Sequence, residues 1–367
     1  MPKFHELYGE DPLSKDPLII ESRRDALCPF TENTCDGGGN RHQTKIKLEG
    51  SRLRELYAPG LSSIIPAVCS IEYKDTETWI VCPRRLLGLN PPADKRLIVN
   101  FSLQQHERDA LIKCGVPTGV ELGVWSEVYL QYGEDETTIN YHFDFVISEL
   151  YRGESFEKLF TDYEGVSKDD LDELIKYAKA GKYYAGKFDA SRPLDFLPNL
   201  KSPIIIEVMT ASTSGSDREA RTDIATSFED AMLGENYSCP GINKRQVWGR
   251  MATQLFAKSA LAEEWGGKTI WLVQDELLKN IELTTKLQLK AVPDGNKETI
   301  NFLSMAYEGR ERGASSLKVA EYLQKDSGLS FGGSNKCSDI LLSKVNPGKL
   351  HLLKAILRRE LSAVIYL

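Results

Sequence analysis

Apolar positions fall into two periods along the chain. In "INYHFDFVISEL" they alternate strongly enough to predict a strand with His142 and Asp144 on one face, whereas "SPIIIEVMTAST" (202 to 213) predicts a buried strand with one carboxylate, Glu207, among aliphatic neighbours. Upstream, "FSLQQHERDALIKC" has helical periodicity, and "GVELGVWSEVYLQY" puts Glu127 on a helix or strand leading towards the core. A helix is expected around 167 to 181, and another after Ser216 and Glu219, which form an S-x-x-E capping box. The long helix "KRQVWGRMATQLFAKSALAEEW" should stop at Gly266 and Gly267, and "KTIWLVQDEL" should return as a buried strand. Helix, strands, helices and strand in that order predict an α/β fold, a mixed sheet flanked by helices.

The pattern changes near residue 100. Before it lie most of the cysteines, short β-like runs and turn residues such as "DGGGN" and "NPPADK". We therefore expect a small N-terminal module, 1–98, ahead of an α/β domain, 99–367. A chain of 367 residues, 41% hydrophobic and 27% charged, has room for both, since single cores stop growing near roughly 250 to 300 residues. No run approaches the ~20 apolar residues of a membrane span, and the start lacks the apolar stretch of a signal peptide. The expectation is a soluble, intracellular protein. Its net charge of −7 does not favour nucleic acid as a partner, nor exclude it, because local basic patches decide such binding.

Four of the seven cysteines, Cys28, Cys35, Cys69 and Cys82, lie in the first module, with six, thirty-three and twelve residues between them. That spacing differs from the C-x-x-C of common zinc fingers, and any one of them alone reads as an ordinary buried thiol. Four soft ligands within sixty residues nevertheless suit a tetrahedral zinc or iron that staples a module too small to bury much core. Cys114, Cys239 and Cys337 are scattered and read as core or surface thiols. Between Cys35 and Cys69, "RHQTKIKLEGSRLR" sets Arg41, Lys45, Lys47, Arg52 and Arg54 against one acid, Glu49. It is a candidate contact for phosphates and guanine edges, or a solvated face.

Asp144 and Glu207 each interrupt an apolar strand, where a carboxylate is costly unless it is paired or binds a cation. On adjacent strands the two would supply hard oxygens for magnesium, the arrangement phosphodiester hydrolysis needs. Glu127 is a plausible third carboxylate, and the Val208 carbonyl a plausible backbone ligand.

With these residues in place, the chain resembles the NotI family of type II restriction endonucleases, within the PD-(D/E)XK nuclease fold. The resemblance runs from residue 28 to about 275, through "CPF…C", "VCSI", "WIVCP", "FDFV", "IIIEVMT" and "WGGKTIWLVQD". It implies a restriction-endonuclease-like core in which Glu127, Asp144 and Glu207 bind magnesium, and a structural iron on Cys28, Cys35, Cys69 and Cys82 in a module that helps grip double-stranded DNA. It further implies a prokaryotic, cytoplasmic homodimer cutting a palindromic site, with a lean towards GC-rich sequences. Met209 departs from the pattern, for the family places glutamine there and the wider fold lysine. A thioether neither orients water nor ligates a hard cation well. A displaced partner could be His142, otherwise a core histidine donating to a carboxylate, or Lys268, otherwise a solvated strand end. Ser214, Arg218 and Arg221 could reach phosphates or simply follow a helix cap. The alternative function is a DNA-binding protein that keeps the fold and has lost hydrolysis.

Overall fold

The computed structural model describes residues 2–38, 45–73, 77–101, 103–133, 138–162, 166–187, 189, 191–214, 222–243, 245–285, 289–291, 300–309, 316–325 and 346–367. In the first hundred residues come β1 (Lys3–Leu7), α1 (Pro17–Arg24), β2 (Ile46–Lys47), β3 (Ser63–Ile64), β4 (Val68–Tyr73), β5 (Glu77–Ile80) and α2 (Pro83–Leu86). The chain continues through α3 (Gln105–Lys113), β6 (Glu121–Tyr132), β7 (Ile139–Tyr151), α4 (Phe156–Asp162), α5 (Lys168–Ala180), β8 (Leu197–Met209) and β9 (Ser212–Ser214). Its last part holds α6 (Ile224–Met232), β10 (Gly241–Asn243), α7 (Arg245–Glu264), β11 (Lys268–Gln274), α8 (Asp275–Thr284), β12 (Leu289–Ala291), β13 (Ile300–Tyr307), β14 (Leu317–Lys325), α9 (Lys349–Leu357) and β15 (Ala363–Tyr366).

Eight strands form the central sheet in the order β12-β14-β13-β11-β8-β7-β6-β15. It is mixed, as expected: β8, β11 and β13 run parallel, while β7 is antiparallel to both β8 and β6. The strands in the middle are aliphatic on both faces because helices cover both sides. Ile204, Ile206 and Val208 of β8 point to one core, shared with Leu86 of α2 and Leu111 of α3. Ile205 points to the other, under Leu174 of α5, Leu261 of α7 and Leu353 of α9. Towards β11, Trp271 and Val273 continue that second side beneath Met251 and Leu255 of α7 and Leu277 of α8.

Several boundaries differ from expectation for local reasons. The expected strand through 274 to 277 ends at Gln274, because Asp275 and Glu276 open α8, where a helix N-terminus favours acids. Helix α6 is capped by Asp223, whose side chain accepts from Thr226 N at 3.0 Å. The expected cap at Ser216 and Glu219 lies outside the described residues. Helix α5 starts at Ser167 in a capping box with Asp170, and α7 is followed by Gly266 at φ +70.

The first hundred residues also hold a three-stranded sheet, β1-β4-β5, while Ile80, Leu86, Leu87 and Leu89 join the core of the central sheet. The core beside the smaller sheet gathers Phe4, Leu7, Ile71 and the four cysteines, joined by Phe228 and Ala231 of α6. Among the described residues no helix is long and apolar enough to cross a membrane.

Candidate functional site

Three carboxylates occupy one row across three neighbouring strands. Register fixes this: Ser126 pairs with Phe145 and Val128 with Phe143, which sets Glu127 opposite Asp144; Phe145 pairs with Ile206, which sets Asp144 opposite Glu207. The row interrupts the pleat. Trp125 and Val128 on β6, and Phe143 and Val146 on β7, all join the core under α5 and α7, although strict alternation would send each pair to opposite faces. Both strands therefore shift phase at the Glu127–Asp144 row, and Glu127 absorbs the shift with a left-handed φ of +53. For a residue with a Cβ this conformation costs of order 1–3 kcal/mol, and it persists where the surroundings impose it.

Asp144 accepts a hydrogen bond from Val208 N at 2.8 Å, which locks β7 to β8 at the site. Burial raises its carboxyl above the usual range, outweighing the Val208 N–H and the nearby Lys258 ammonium. Glu207 is 3% exposed and faces α7. Its Oε2 accepts from Lys258 Nζ at 2.5 Å, and among the described residues its Oε1 has no hydrogen-bond partner. Burial pushes Glu207 up to about 8, the Asp144 charge adds to this, and Lys258 opposes it.

Glu127 is half-exposed and accepts from His142 Nε2 at 2.8 Å, while Arg84 Nη2 stands 3.8 Å from its Oε1. The His142 hydrogen bond leads the causes that hold its carboxyl below the usual range.

Lys258 is the residue that sequence reasoning passed over. It is 4% exposed and lies on α7 in the stripe Met251, Leu255, Lys258, Ala262, continued by Trp265 just past the helix end, whose other members are all buried apolar residues. A lysine in the apolar stripe of an amphipathic helix was the available signal, because such an ammonium is stable there only against a buried anion. Met209, two residues beyond Glu207, is half-buried and packs on the cluster of Trp79, Met251, Leu255 and Trp271. Its thioether suits that apolar seam.

The other candidates divide. His142 donates to a carboxylate as one reading expected, but at 45% exposure it is no core residue. Lys268 is neither a displaced partner nor a solvated end, since its Nζ bonds the carbonyls of Cys114 and Gly115. Val208 contributes its amide to Asp144, and its side chain is buried. In the basic run, Lys45 and Lys47 are exposed. Arg52 is committed to Glu229, Asp230 and Glu235, and Arg54 to the carbonyls of Tyr57, Ala58 and Leu61. Arg41, Arg218 and Arg221 lie outside the described residues, as do Cys337 and the side chain of Ser214.

The four cysteines of the first module are brought together from two turns. Cys28 and Cys35 flank one, tied by Cys28 N to Asn33 O at 2.7 Å and Cys35 N to Ala26 O at 2.9 Å. Cys69 and Cys82 face each other across the other, tied by Cys82 N to Cys69 O at 3.2 Å. Backbone N–H groups aim at the sulfurs: Gly9 N lies 3.2 Å from Cys69 Sγ, Phe30 and Thr31 donate to Cys28, Gly37 to Cys35 and Arg84 to Cys82. Burial pushes every one of these thiols up, Cys35 to about 12, and for Cys35, Cys69 and Cys82 the charge of neighbouring cysteines adds to it. Gly38, at φ +82, leaves no room for a Cβ, which would meet Pro83 Cδ at 2.6 Å and Cys82 Sγ at 3.3 Å. The thiols thus share one pocket without closing a shell; among the described residues no group of three or more His, Cys, Asp or Glu side chains is gathered as a ready metal site.

Compared with protein-family models and with curated proteins, the chain matches none.

Proposed function

We propose that the protein is a magnesium-dependent endonuclease of double-stranded DNA, acting as a homodimer on a palindromic site in the manner of a type II restriction enzyme. The observation that carries this reading is the row Glu127, Asp144 and Glu207 with the buried ammonium of Lys258 on Glu207. Glu207 Oε1, a buried carboxylate oxygen with no hydrogen-bond partner among the described residues, is a suitable site for a hard cation. Asp144, Glu207 and Glu127 would hold the ion, and the Val208 carbonyl is the backbone oxygen nearest to hand in sequence. When bound, magnesium would polarise the phosphate and acidify a water.

The residues of this chain supply the rest. Lys258 holds Glu207 in one orientation and keeps two further N–H donors for water or a phosphate oxygen, the service expected from the position that Met209 occupies. His142 orients Glu127. Two-fold symmetry of a dimer matching two-fold DNA symmetry is the physical reason for a palindrome. Lys45 and Lys47 are exposed for phosphates. In the first module, four buried sulfurs ringed by N–H donors fit a thiolate-bound zinc or iron, whose charge would replace the mutual repulsion of the thiolates.

Purified protein with magnesium and phage DNA is expected to give discrete bands with 5'-phosphate ends, lost in Asp144→Asn and Glu207→Gln. Site-specific, salt-dependent binding without cleavage under any divalent cation would replace this reading with that of an inactive DNA-binding protein.

A further inference from the structure

The side chain of Arg84 links the cysteine turns to the carboxylate row. Arg84 lies two residues after Cys82, and its backbone N–H donates to that sulfur. Its guanidinium, 9% exposed, stands 3.3 Å from Asp36 Oδ2 and 3.8 Å from Glu127 Oε1, and Asp36 directly follows Cys35. One residue is thus held by two of the cysteine turns and holds a carboxylate of the row.

Glu127 needs such a hold. Its left-handed backbone has no intrinsic preference for the conformation it adopts, and its carboxylate is half-exposed, with His142 and Arg84 as its ion-pair partners among the described residues.

A second seam runs beside the first. Ala211 N donates to Ile80 O at 2.9 Å, Thr210 Oγ1 to Val81 O at 3.4 Å, and Gln274 Oε1 accepts from Ile80 N at 2.8 Å. Ile80 and Val81 lead straight into Cys82, and Thr210 and Ala211 follow directly on β8, the strand of Glu207. The turn that carries Cys82 is therefore hydrogen-bonded to the strand of one carboxylate and ion-paired with another.

We infer that Arg84 is a positioning residue through which metal occupancy of the four-cysteine module sets the divalent-cation affinity of the carboxylate row, so that cleavage requires both sites filled. This rests on the nuclease reading of that row. A filled cysteine site fixes the backbone of Cys82 to Arg84 and of Cys35 to Asp36, and the guanidinium between them then holds Glu127 turned towards Asp144. An emptied one frees both turns, and Glu127 with them.

Charge and positioning predict opposite signs, which makes the inference testable. A cation 3.8 Å from a ligand oxygen weakens divalent binding by repulsion, so deleting it would tighten binding if charge were its whole role. The test uses full-length protein, with the thiol-bound metal counted by elemental analysis and Mn2+ binding followed by electron paramagnetic resonance without DNA. Arg84→Gln is expected to keep the thiol-bound metal yet bind Mn2+ about tenfold more weakly, the scale of lost outer-shell support, with Arg84→Lys recovering part of the loss. Chelating the thiol-bound metal from wild type should weaken Mn2+ binding by a similar factor and change Arg84→Gln little further. Mn2+ affinity in Arg84→Gln equal to or tighter than wild type overturns the inference, as does an equal loss on chelation in both proteins. The Arg84→Gln arm stands even if the stripped protein unfolds. Absence in wild type of any Mn2+ binding that Asp144→Asn removes would instead sink the nuclease reading itself, and the inference with it.

Discussion

The cysteine pocket and the carboxylate row are built alike and balanced differently. Each brings like groups together by hydrogen-bonded β structure, the sulfurs from two turns and the carboxylates from three adjacent strands. The row comes with its own cations, Lys258 on Glu207 and Arg84 beside Glu127, and with a histidine on Glu127. In the pocket, neutral backbone N–H groups do most of that work; Arg84 brings a positive charge near Cys82, and Arg85, already paired with Glu6, brings one near Cys69. A site that carries its own counter-charge can fold before its ion arrives. One that does not is stable mainly with the thiols protonated or a metal in place.

The sharpest way to break this comparison is to remove the internal cation. Lys258→Met leaves Glu207 buried without a partner and is expected to cost about 3–5 kcal/mol, read as a lowered midpoint in denaturant, and to abolish cleavage. Adding Glu207→Gln should restore most of the stability and none of the activity. Placing the ammonium where the nuclease pattern expects it, Met209→Lys in the Lys258→Met background, should return part of the cleavage; a dead double variant would show that the position of the amine on α7 is itself required.

Next in size is the cysteine pocket. Cys69→Ser should cost about 2–4 kcal/mol in metal-loaded protein and little in metal-stripped protein, while Asp144→Asn should leave the melting temperature within a few degrees in both. Equal losses with and without metal would show that the pocket is an ordinary apolar core.

The smallest expected effect lies away from both sites. Burial, aided by Arg85, pushes His106 down to about 4. An imidazole takes up its proton near 6.5 in the unfolded chain, so the unfolded state binds more protons between about 6.5 and 4. Stability contributed by neutral His106 is present above that window and is lost as pH falls through it. Glu107 and Glu207, which burial pushes up to about 7 and about 8, contribute the opposite slope over the same range. The His106 contribution is therefore read as a difference: in chemical denaturation from pH 7 to 4, His106→Asn should lose less stability, or gain more, than wild type as pH falls.

How much of the site was legible follows from what periodicity encodes. Asp144 and Glu207 stand out because a carboxylate in an apolar strand breaks a local pattern, and the strands and the long helix around them were visible for the same reason. Lys258 carried a similar signal, diluted by the other polar residues of α7. Arg84 carried none, as an arginine after Cys-Pro looks like any other. The basic run misleads in the opposite direction, since neutralisation of Arg52 by three acids of α6 and its following turn depends on contacts some 180 residues away. The last strand, β15, pairs with β6 at the edge of the sheet, completing it from the far end of the chain.

Sequence by itself determined the residue types of the two candidate sites, the α/β alternation and the strands that carry two carboxylates, because these depend on residue chemistry and on periods of two and 3.6. Tertiary structure alone decided which charges meet. Register set Glu127 opposite Asp144, helix packing brought Lys258 to Glu207, and the Cys82 turn delivered Arg84 to Glu127. Each of these is a contact between segments distant in the chain, and neither the strand period nor the helix period specifies which distant segment will be the partner.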